Sequence, residues 1–253
     1  MSRDEAAWSR MLESMRVFFR SLPARSAGGR ALEVDGVVAG VTPAVPERSL
    51  PNSVLYASEE ALEAALDELA SAYEEAGVSA WTVWVPEHHE RARTLLRRAG
   101  HVLDATPAAM IASLDRIEPP RPADPKPEPR PTLEDIARVN DLAYGTGDAF
   151  QRLLGDGPAD PASAYVASLD GEPAATVVTQ EHAGDCSVWW VATVPSARGR
   201  GLAAGLMRRA LAEGRARGCE VTTLQATKLG QPLYQRLGYR TIGTIEMWER
   251  RRR

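Results

Sequence analysis

The stretch Arg198–Ala203, with the sequence RGRGLA, constrains this chain more than any other, because it joins a predicted strand to a predicted helix. The segment before it, Ser187–Val194, is rich in β-branched and aromatic residues, which favour a strand. The segment after it, Leu202–Glu213, carries apolar residues at helical spacing. Two glycines at a helix start leave backbone N–H groups open to an anion, and the helix dipole and the arginines add to the attraction. The pattern predicts a phosphate-bearing ligand at this loop.

The order of residues in the loop excludes two common phosphate motifs. It is not G-x-G-x-x-G, and the chain contains no G-x-x-x-x-G-K-[ST]. Arg198-x-x-Gly201-x-Ala203 instead resembles the R/Q-x-x-G-x-G/A pyrophosphate loop of the GCN5-related N-acetyltransferases, the GNAT family. Val194-Pro195 precedes the loop at the family's usual distance, and Pro232–Tyr239 resembles the late L-Y-x-x-L-G-F segment of the family. The resemblance extends over roughly residues 131–250.

The resemblance implies that coenzyme A binds to this part of the chain. The pyrophosphate would lie on the loop and the first turn of its helix, and the pantetheine arm would bond to the open edge of the preceding strand, which in this family splays from its neighbour, often at a bulge. The cofactor-binding residues carried over are Val191, Ala192 and Thr193 on the strand, and Arg198, Gly199, Arg200, Gly201, Leu202, Ala203 and Ala204 at the loop. Tyr234 matches the tyrosine that serves many relatives as general acid.

No residue is assigned as the general base. Where many relatives have Glu and Asn, this chain has Thr222 and Thr227, and a threonine cannot deprotonate an ammonium at neutral pH. Candidates by local placement are Glu181, His182, Asp185 and Glu246. A substrate amine of low pKa, or a chain of water molecules, would need no dedicated base. Cys186 and Cys219 lie in no Cys–His arrangement, so a direct transfer in a ternary complex is favoured over an acyl-enzyme.

A proline-rich segment divides the chain. Residues 116–131 hold seven of its 18 prolines, which favours extended polyproline II and predicts a semi-rigid linker. The halves on either side share a similar order of strands and helices. The predicted fold class is α/β (α+β), with tandem GNAT-like domains at 1–115 and 132–253, each a mixed, mostly antiparallel sheet flanked by helices.

The second half has the clearer local signals. Thr132–Tyr144 is predicted to be an amphipathic helix capped by Thr132, and Asp170-Gly171 predicts a tight hairpin. In the first half, Ser58–Tyr73 is predicted to be a helix capped by Ser58. The segment before that helix contains no R-x-x-G-x-A, and Leu96 stands where the second half has Tyr234. The first domain is therefore predicted not to bind coenzyme A.

Composition narrows the class of partner. The net charge of −4 gives no reason to expect nucleic acid or an anionic membrane, and no stretch approaches 18 apolar residues. Two cysteines and four scattered histidines predict no disulfide framework and no metal site. We expect a cytoplasmic protein, either a monomer with pseudo-twofold tandem domains or a homodimer.

Together these observations predict an acetyl-CoA-dependent N-acetyltransferase, a GNAT-type acyltransferase acting on a primary amine of a small molecule or peptide. The alternative is a catalytically silent acyl-CoA sensor, which the missing Glu and Asn favour. Trp189, Trp190 and Trp248 are candidates to line an aromatic pocket for an apolar or cationic acceptor, although strand tryptophans more often belong to the core.

Overall fold

The computed structural model describes residues 3–252, and their contacts group them into two compact units. The C-terminal unit contains residues 3–14 and 110–240, and the N-terminal unit contains residues 15–109 and 241–252. This grouping does not follow the predicted boundaries at 115 and 132. It differs because the last strand of the chain belongs to the N-terminal unit, whereas residues 3–14, residues 110–115 and the whole proline-rich segment belong to the C-terminal unit.

The helices and strands follow one another along the two halves in a similar order. Up to the proline-rich segment they are α1 (Arg3–Ser21), β1 (Arg30–Val34), β2 (Val37–Val41), β3 (Ser53–Tyr56), α2 (Glu59–Glu75), β4 (Ala80–Pro86), α3 (Glu90–Arg98), β5 (Val102–Ala105) and β6 (Ala108–Ser113). After it they are α4 (Leu133–Tyr144), α5 (Ala149–Leu154), β7 (Ala164–Leu169), β8 (Glu172–His182), β9 (Asp185–Thr193), α6 (Leu202–Ala216), β10 (Val221–Ala226), α7 (Gln231–Arg236) and β11 (Arg240–Arg251).

The N-terminal unit has a mixed sheet in the order β1-β2-β3-β4-β11, and β5 also pairs with β11. All of these pairs are antiparallel except β3 with β4. Helix α2 packs on this sheet through Leu62, Leu66 and Leu69, which are buried in one hydrophobic cluster, as the helical spacing of these leucines predicts. The hydroxyl of Ser58 accepts a bond from the N–H of Ala61 at 3.2 Å, which confirms the predicted cap.

The C-terminal unit has a second mixed sheet in the order β6-β10-β9-β8-β7, in which β7, β8 and β9 are antiparallel and β9 and β10 are parallel. Asp170 and Gly171 form the two-residue turn between β7 and β8, with φ of 54° and 84°, so the predicted hairpin is confirmed. Thr132 caps α4 by accepting a bond from the N–H of Asp135 at 3.1 Å. The predicted fold class is confirmed, since each unit is a mostly antiparallel sheet flanked by helices.

The proline-rich segment packs on the C-terminal unit. Asp124 forms a buried ion pair with Arg208 of α6, with 2.8 Å between Oδ2 and Nε. Gly205, one helical turn earlier, leaves room for Pro125, which a Cβ at this position would overlap. The N–H of Glu128 donates to a carbonyl of β7 at 2.8 Å. These contacts make the segment a strap over α6.

Among the described residues, no helix is long and apolar enough to cross a bilayer.

We predict that buried His101 makes the N-terminal unit less stable to unfolding at acidic pH. The ring is 3% exposed and lies edge-on to Trp81 at 4.5 Å, and burial, aided by Arg250, lowers its pKa from 6.5 to about 4. The unfolded chain therefore binds this proton more readily than the folded chain, so His101 reduces the free energy of unfolding as the pH falls from about 6.5 to about 4. The full effect is about 3 kcal/mol.

His101→Phe should abolish this contribution, and denaturant unfolding at a series of pH values measures it. The difference between the two proteins is the quantity to compare, because buried Asp185, whose pKa is raised from 3.8 to about 6, acts with the opposite sign over an overlapping range. Val102→Ala, at the adjacent exposed position, is the control and should leave the curve unchanged. Parallel curves for wild type and His101→Phe would contradict the assignment.

Candidate active site

A wedge-shaped opening lies between β9 and β10. These parallel strands are paired only at Asp185 and Val221, where both begin. Beyond that point β10 continues for five residues, about 16 Å of extended chain, without a pairing to β9. The backbone edge of β9 near Val191–Thr193, which the sequence predicts to receive the pantetheine arm, therefore lies at the open end of the wedge.

A β-bulge in β9 accompanies the opening. Thr176 of β8 pairs with Ala192 and Val178 pairs with Trp189, so two residues of β9 face one residue of β8. Trp190 has a φ of 48°, a left-handed conformation that is uncommon for so bulky a residue. Sequence reasoning anticipated a bulge here only through the family resemblance, because no glycine or asparagine marks the position.

Helix α4 holds both carbonyls of the bulge. The amide of Asn140 donates to the hydroxyl of Thr176 at 3.1 Å, and this hydroxyl donates to the carbonyl of Trp190 at 3.0 Å. One helical turn later, the hydroxyl of Tyr144 donates to the carbonyl of Val191 at 2.9 Å. Because both carbonyls are bonded, the strained backbone of Trp190 is kept in place.

The N-terminus of α6 has the features of an anion site. Gly199 and Gly201 have φ of 77° and 79°, and nothing lies within 4 Å of where a Cβ would stand on either. Gly201 is the N-cap and has no side chain to bond the first N–H groups of the helix, which have no acceptor within the helix. These donors and the positive end of the helix dipole favour a phosphate.

The guanidinium of Arg198 ties the loop to its surroundings. It donates to the carbonyl of Thr193 at 3.2 Å and to that of Ala143, near the end of α4, at 2.9 Å. These two hydrogen bonds fix the positively charged guanidinium beside the wedge. Arg200 is exposed on the same loop, and Leu202, Ala203 and Ala204 form the partly exposed first turn of α6.

Tyr234 projects from α7, which follows the open end of β10. Its ring is 8% exposed and lies 5.9 Å from that of Tyr239. Burial raises its pKa well above that of free tyrosine, and nearby Tyr144 raises it further. The hydroxyl of Tyr234 therefore keeps its proton at neutral pH. The predicted loop, strand edge and general acid are all at the end of the sheet where β9 and β10 separate.

Comparison with known proteins identifies the domain that carries this arrangement. Residues 160–241, about a third of the chain, match the family model described as an acetyltransferase (GNAT) domain. This chain contains a GNAT domain. The matched range includes the wedge, the α6 loop and α7. No curated protein sequence matches the chain.

Solved structures resemble the chain over most of its length. A GCN5-related N-acetyltransferase from Kribbella flavida has a TM-score of 0.69 and 18% identity, covering 95% of this chain and 94% of its own. One from Sphaerobacter thermophilus has a TM-score of 0.56 and 19% identity, with coverages of 85% and 76%. A tandem GNAT protein from the clavulanic acid biosynthesis pathway has a TM-score of 0.53 and 13% identity, covering 85% of this chain and 78% of its own. At these identities the likeness establishes the fold.

The four candidate bases all have side-chain partners. Asp185 is buried where β9 and β10 meet and accepts bonds from Ser14 at 2.7 Å and Thr223 at 2.6 Å. Glu181 pairs with Arg217 at 2.6 Å. The other two are His182, near Glu13 at 3.9 Å, and Glu246, in the N-terminal unit, which accepts a bond from Trp248 at 2.7 Å.

The two threonines at the family's Glu and Asn positions have structural partners. The hydroxyl of Thr222 is bonded to the carbonyl of Cys186 and to Tyr239, both at 2.7 Å. The hydroxyl of Thr227 accepts a bond from the N–H of Gly230 at 3.2 Å and stabilises the turn before α7. Neither contact prepares a base.

The cysteines of the GNAT domain are both buried. Burial raises the pKa of Cys186 strongly and that of Cys219 to about 11, so both are thiols at neutral pH. Among the described residues, no group of three or more His, Cys, Asp or Glu side chains is arranged to hold a metal ion.

Sequence reasoning missed Tyr144 and Phe150. The signal for Tyr144 was present, since its spacing places it on the same face of α4 as the buried residues Ile136 and Asn140. Of the three tryptophans considered for an acceptor pocket, Trp190 is at the bulge and partly exposed. Trp189 is buried and Trp248 belongs to the N-terminal unit.

The corresponding place in the N-terminal unit is closed to an anion. The hydroxyl of Ser58 caps α2 by accepting a bond from the N–H of Ala61, and Glu59 and Glu60 occupy the first turn of the helix. Glu59 also accepts a bond from the N–H of Ala92 at 2.7 Å. The hydroxyl of Tyr56 and Nδ1 of His89 are bonded at 2.9 Å beside the end of β3. Two carboxylates at a helix N-terminus repel a phosphate.

Removing the hydroxyl of Thr176 tests how the bulge is held. Thr176→Val keeps the volume but leaves the Asn140 amide and the Trp190 carbonyl without their shared partner, so the free energy of unfolding should fall by about 1–3 kcal/mol. Thr179→Val is the matched control on the same strand, because that hydroxyl makes one long bond of 3.4 Å. Equal losses in denaturant unfolding of the two variants would show that the Thr176 bond has no special role.

Proposed function

We propose that this chain is an acetyl-CoA-dependent N-acetyltransferase that transfers acetyl to a primary amine by direct attack in a ternary complex. The observation that carries the proposal is that the wedge between β9 and β10 opens towards an uncapped helix N-terminus with two left-handed glycines. A nucleotide cofactor with a long arm needs both features at once. The fold of the matched GNAT domain supports acyl transfer in general.

The residues of the loop fit the pyrophosphate of coenzyme A. The space above Gly199 and Gly201 is open, and any side chain there would fill it. The N–H groups of residues 201–204 at the start of α6 would bind the phosphates, and Arg198 and Arg200 would add positive charge. The edge of β9 at Val191, Ala192 and Thr193 would hold the pantetheine arm.

When bound, acetyl-CoA supplies an activated acetyl thioester. The chain contributes chiefly by holding two reactants together, which accounts for a large part of the acceleration in such transfers. Tyr234 keeps its phenolic proton at neutral pH and can donate it to a leaving group at the open end of the wedge. The two buried thiols do not compete as nucleophiles, which favours direct attack.

Proton removal from the acceptor does not require a carboxylate of this chain. Asp185 has a pKa of about 6, which suits a base, but it is six residues, or about 20 Å of strand, from Val191. An amine that binds without a surplus proton needs no such group. The acceptor can be a small molecule or a peptide amine.

The alternative is a sensor that binds acyl-CoA without turnover. Thr222 and Thr227, which form structural bonds where many relatives have Glu and Asn, favour it. Thiol release from acetyl-CoA, measured with a broad panel of amines, separates the two functions. Tight cofactor binding with no release above the spontaneous rate for any amine would favour the sensor.

One molecule of coenzyme A should bind per chain. Calorimetry should give a stoichiometry near one, because α6 has an open N-terminus and α2 is capped and acidic. Gly201→Glu should abolish binding by placing a carboxylate among the phosphate donors. Gly201→Ala is the matched control, because it carries the same backbone strain at φ of 79° without charge, and should weaken binding less. Two equivalent sites would overturn the assignment.

Tyr234→Phe should lower kcat by about 10²–10⁴-fold and leave the Kd of coenzyme A nearly unchanged, since it removes a proton donor and almost no packing area. Steady-state kinetics with saturating acceptor measures the effect. Tyr165→Phe is the control, because the hydroxyl of Tyr165 bonds to Glu213 at 2.9 Å in the same unit. If both variants retain wild-type turnover, Tyr234 is not the proton donor.

A further inference from the structure

Three aromatic side chains form a contiguous cluster beside the open end of the wedge. The rings of Tyr144 and Phe150 are nearly parallel, with 6.1 Å between centroids, and those of Phe150 and Trp190 are perpendicular at 5.8 Å. We call these three residues the aromatic wall. Tyr144 connects the wall to the reaction site, because it bonds to the carbonyl of Val191 and affects the pKa of Tyr234.

Two of the three side chains of the aromatic wall reach solvent, and the backbone of one of these two, Trp190, is strained. Tyr144 is 51% exposed and Trp190 is partly exposed, whereas Phe150 is buried beneath them. A bulky residue in the left-handed region costs on the order of 1–3 kcal/mol, and such strain concentrates at ligand sites. The strained residue is therefore also the one whose indole packs on Phe150 and is partly exposed at the bulge.

Charges around the aromatic wall disfavour a cationic ligand. The guanidinium of Arg198 bonds to the carbonyl of Ala143, next to Tyr144 in sequence. Of the nearby carboxylates, Asp148 pairs with Arg152, whereas Asp141 is 7% exposed and both of its oxygens already accept bonds, from Thr146 and from the N–H groups of Phe150 and Gln151. An ammonium here would face a fixed positive charge.

We propose that the amine acceptor carries an aromatic ring that packs on the aromatic wall, and that its nitrogen is weakly basic and binds uncharged, as in an arylamine. This inference rests on the proposed function. The nitrogen lone pair forms the new bond to the acetyl carbon and the carbon–sulfur bond breaks. Tyr234 gives its proton to the leaving sulfur, and the surplus proton of the nitrogen passes to water, from which Tyr234 is reprotonated. No carboxylate base is needed.

A matched series of amines tests the proposal on the wild-type protein. Aniline has an aromatic ring and a weakly basic nitrogen, and benzylamine has an aromatic ring and a charged nitrogen. Cyclohexylamine has a saturated ring and a charged nitrogen. At pH 7 and saturating acetyl-CoA, kcat/KM from thiol release should decrease in that order, by at least tenfold from aniline to cyclohexylamine. An equal or reversed preference overturns the proposal.

Substitutions at Trp190 test the role of the aromatic wall. Trp190→Leu should reduce the ratio of kcat/KM for aniline over cyclohexylamine at least tenfold, and Trp190→Tyr, which retains a ring, should preserve most of it. A ratio that is the same in both variants and wild type overturns the proposal. Because the ratio compares two substrates of one protein sample, partial loss of folded protein does not change it.

Calorimetry with coenzyme A distinguishes failure of this inference from failure of the proposed function. If coenzyme A does not bind, both are wrong. If it binds and cyclohexylamine is the preferred substrate, the transferase function stands and only the aromatic acceptor is overturned. If it binds and none of the three amines releases thiol, the aromatic acceptor is overturned and the sensor is favoured.

Discussion

The hydrogen bonds from α4 to the two carbonyls of the β9 bulge are the constraint on which the site depends. Asn140 acts through Thr176 on Trp190, and Tyr144 acts directly on Val191. A peptide carbonyl turned out of the regular ladder costs free energy unless it is bonded, so these contacts allow the bulge to persist. The bulge in turn accompanies the separation of β9 from β10, and the wedge between them is where we propose that a cofactor arm binds.

The same order of elements has opposite electrostatic character in the two units. In the C-terminal unit, glycines leave the first N–H groups of α6 without a side-chain partner, and arginines lie nearby. In the N-terminal unit, Ser58 caps α2 and two glutamates occupy its first turn. A serine cap and acidic residues in the first turn stabilise a helix, and a helix without them lacks this contribution to its stability. We therefore expect an anion to bind at the N-terminus of α6, where no side chain of the described residues bonds to the first N–H groups, and not at that of α2.

Much of the local structure was predictable because it depends on neighbours within a few residues. The caps at Ser58 and Thr132 and the turn at Asp170-Gly171 are such features, and all are confirmed. The positive φ of Gly201 likewise follows from a loop that only glycine adopts freely. The proline-rich segment was different, since its composition predicts an extended linker but not the ion pair of Asp124 with Arg208, 84 residues away.

By itself, the sequence determined the fold class and the glycine-rich start of α6, which follow from periodicity and backbone freedom. Phosphate binding at this loop and proton donation by Tyr234 follow from the family resemblance and stay predictions. Only the tertiary structure decided that Asp185 is buried at the closed end of the wedge, that the last strand belongs to the N-terminal unit, and that Tyr144 lies at the site. Tyr144 and Val191 are 47 residues apart, and no local preference encodes such a contact. It exists because packing α4 on the sheet brings a hydroxyl to a carbonyl that the bulge leaves unpaired.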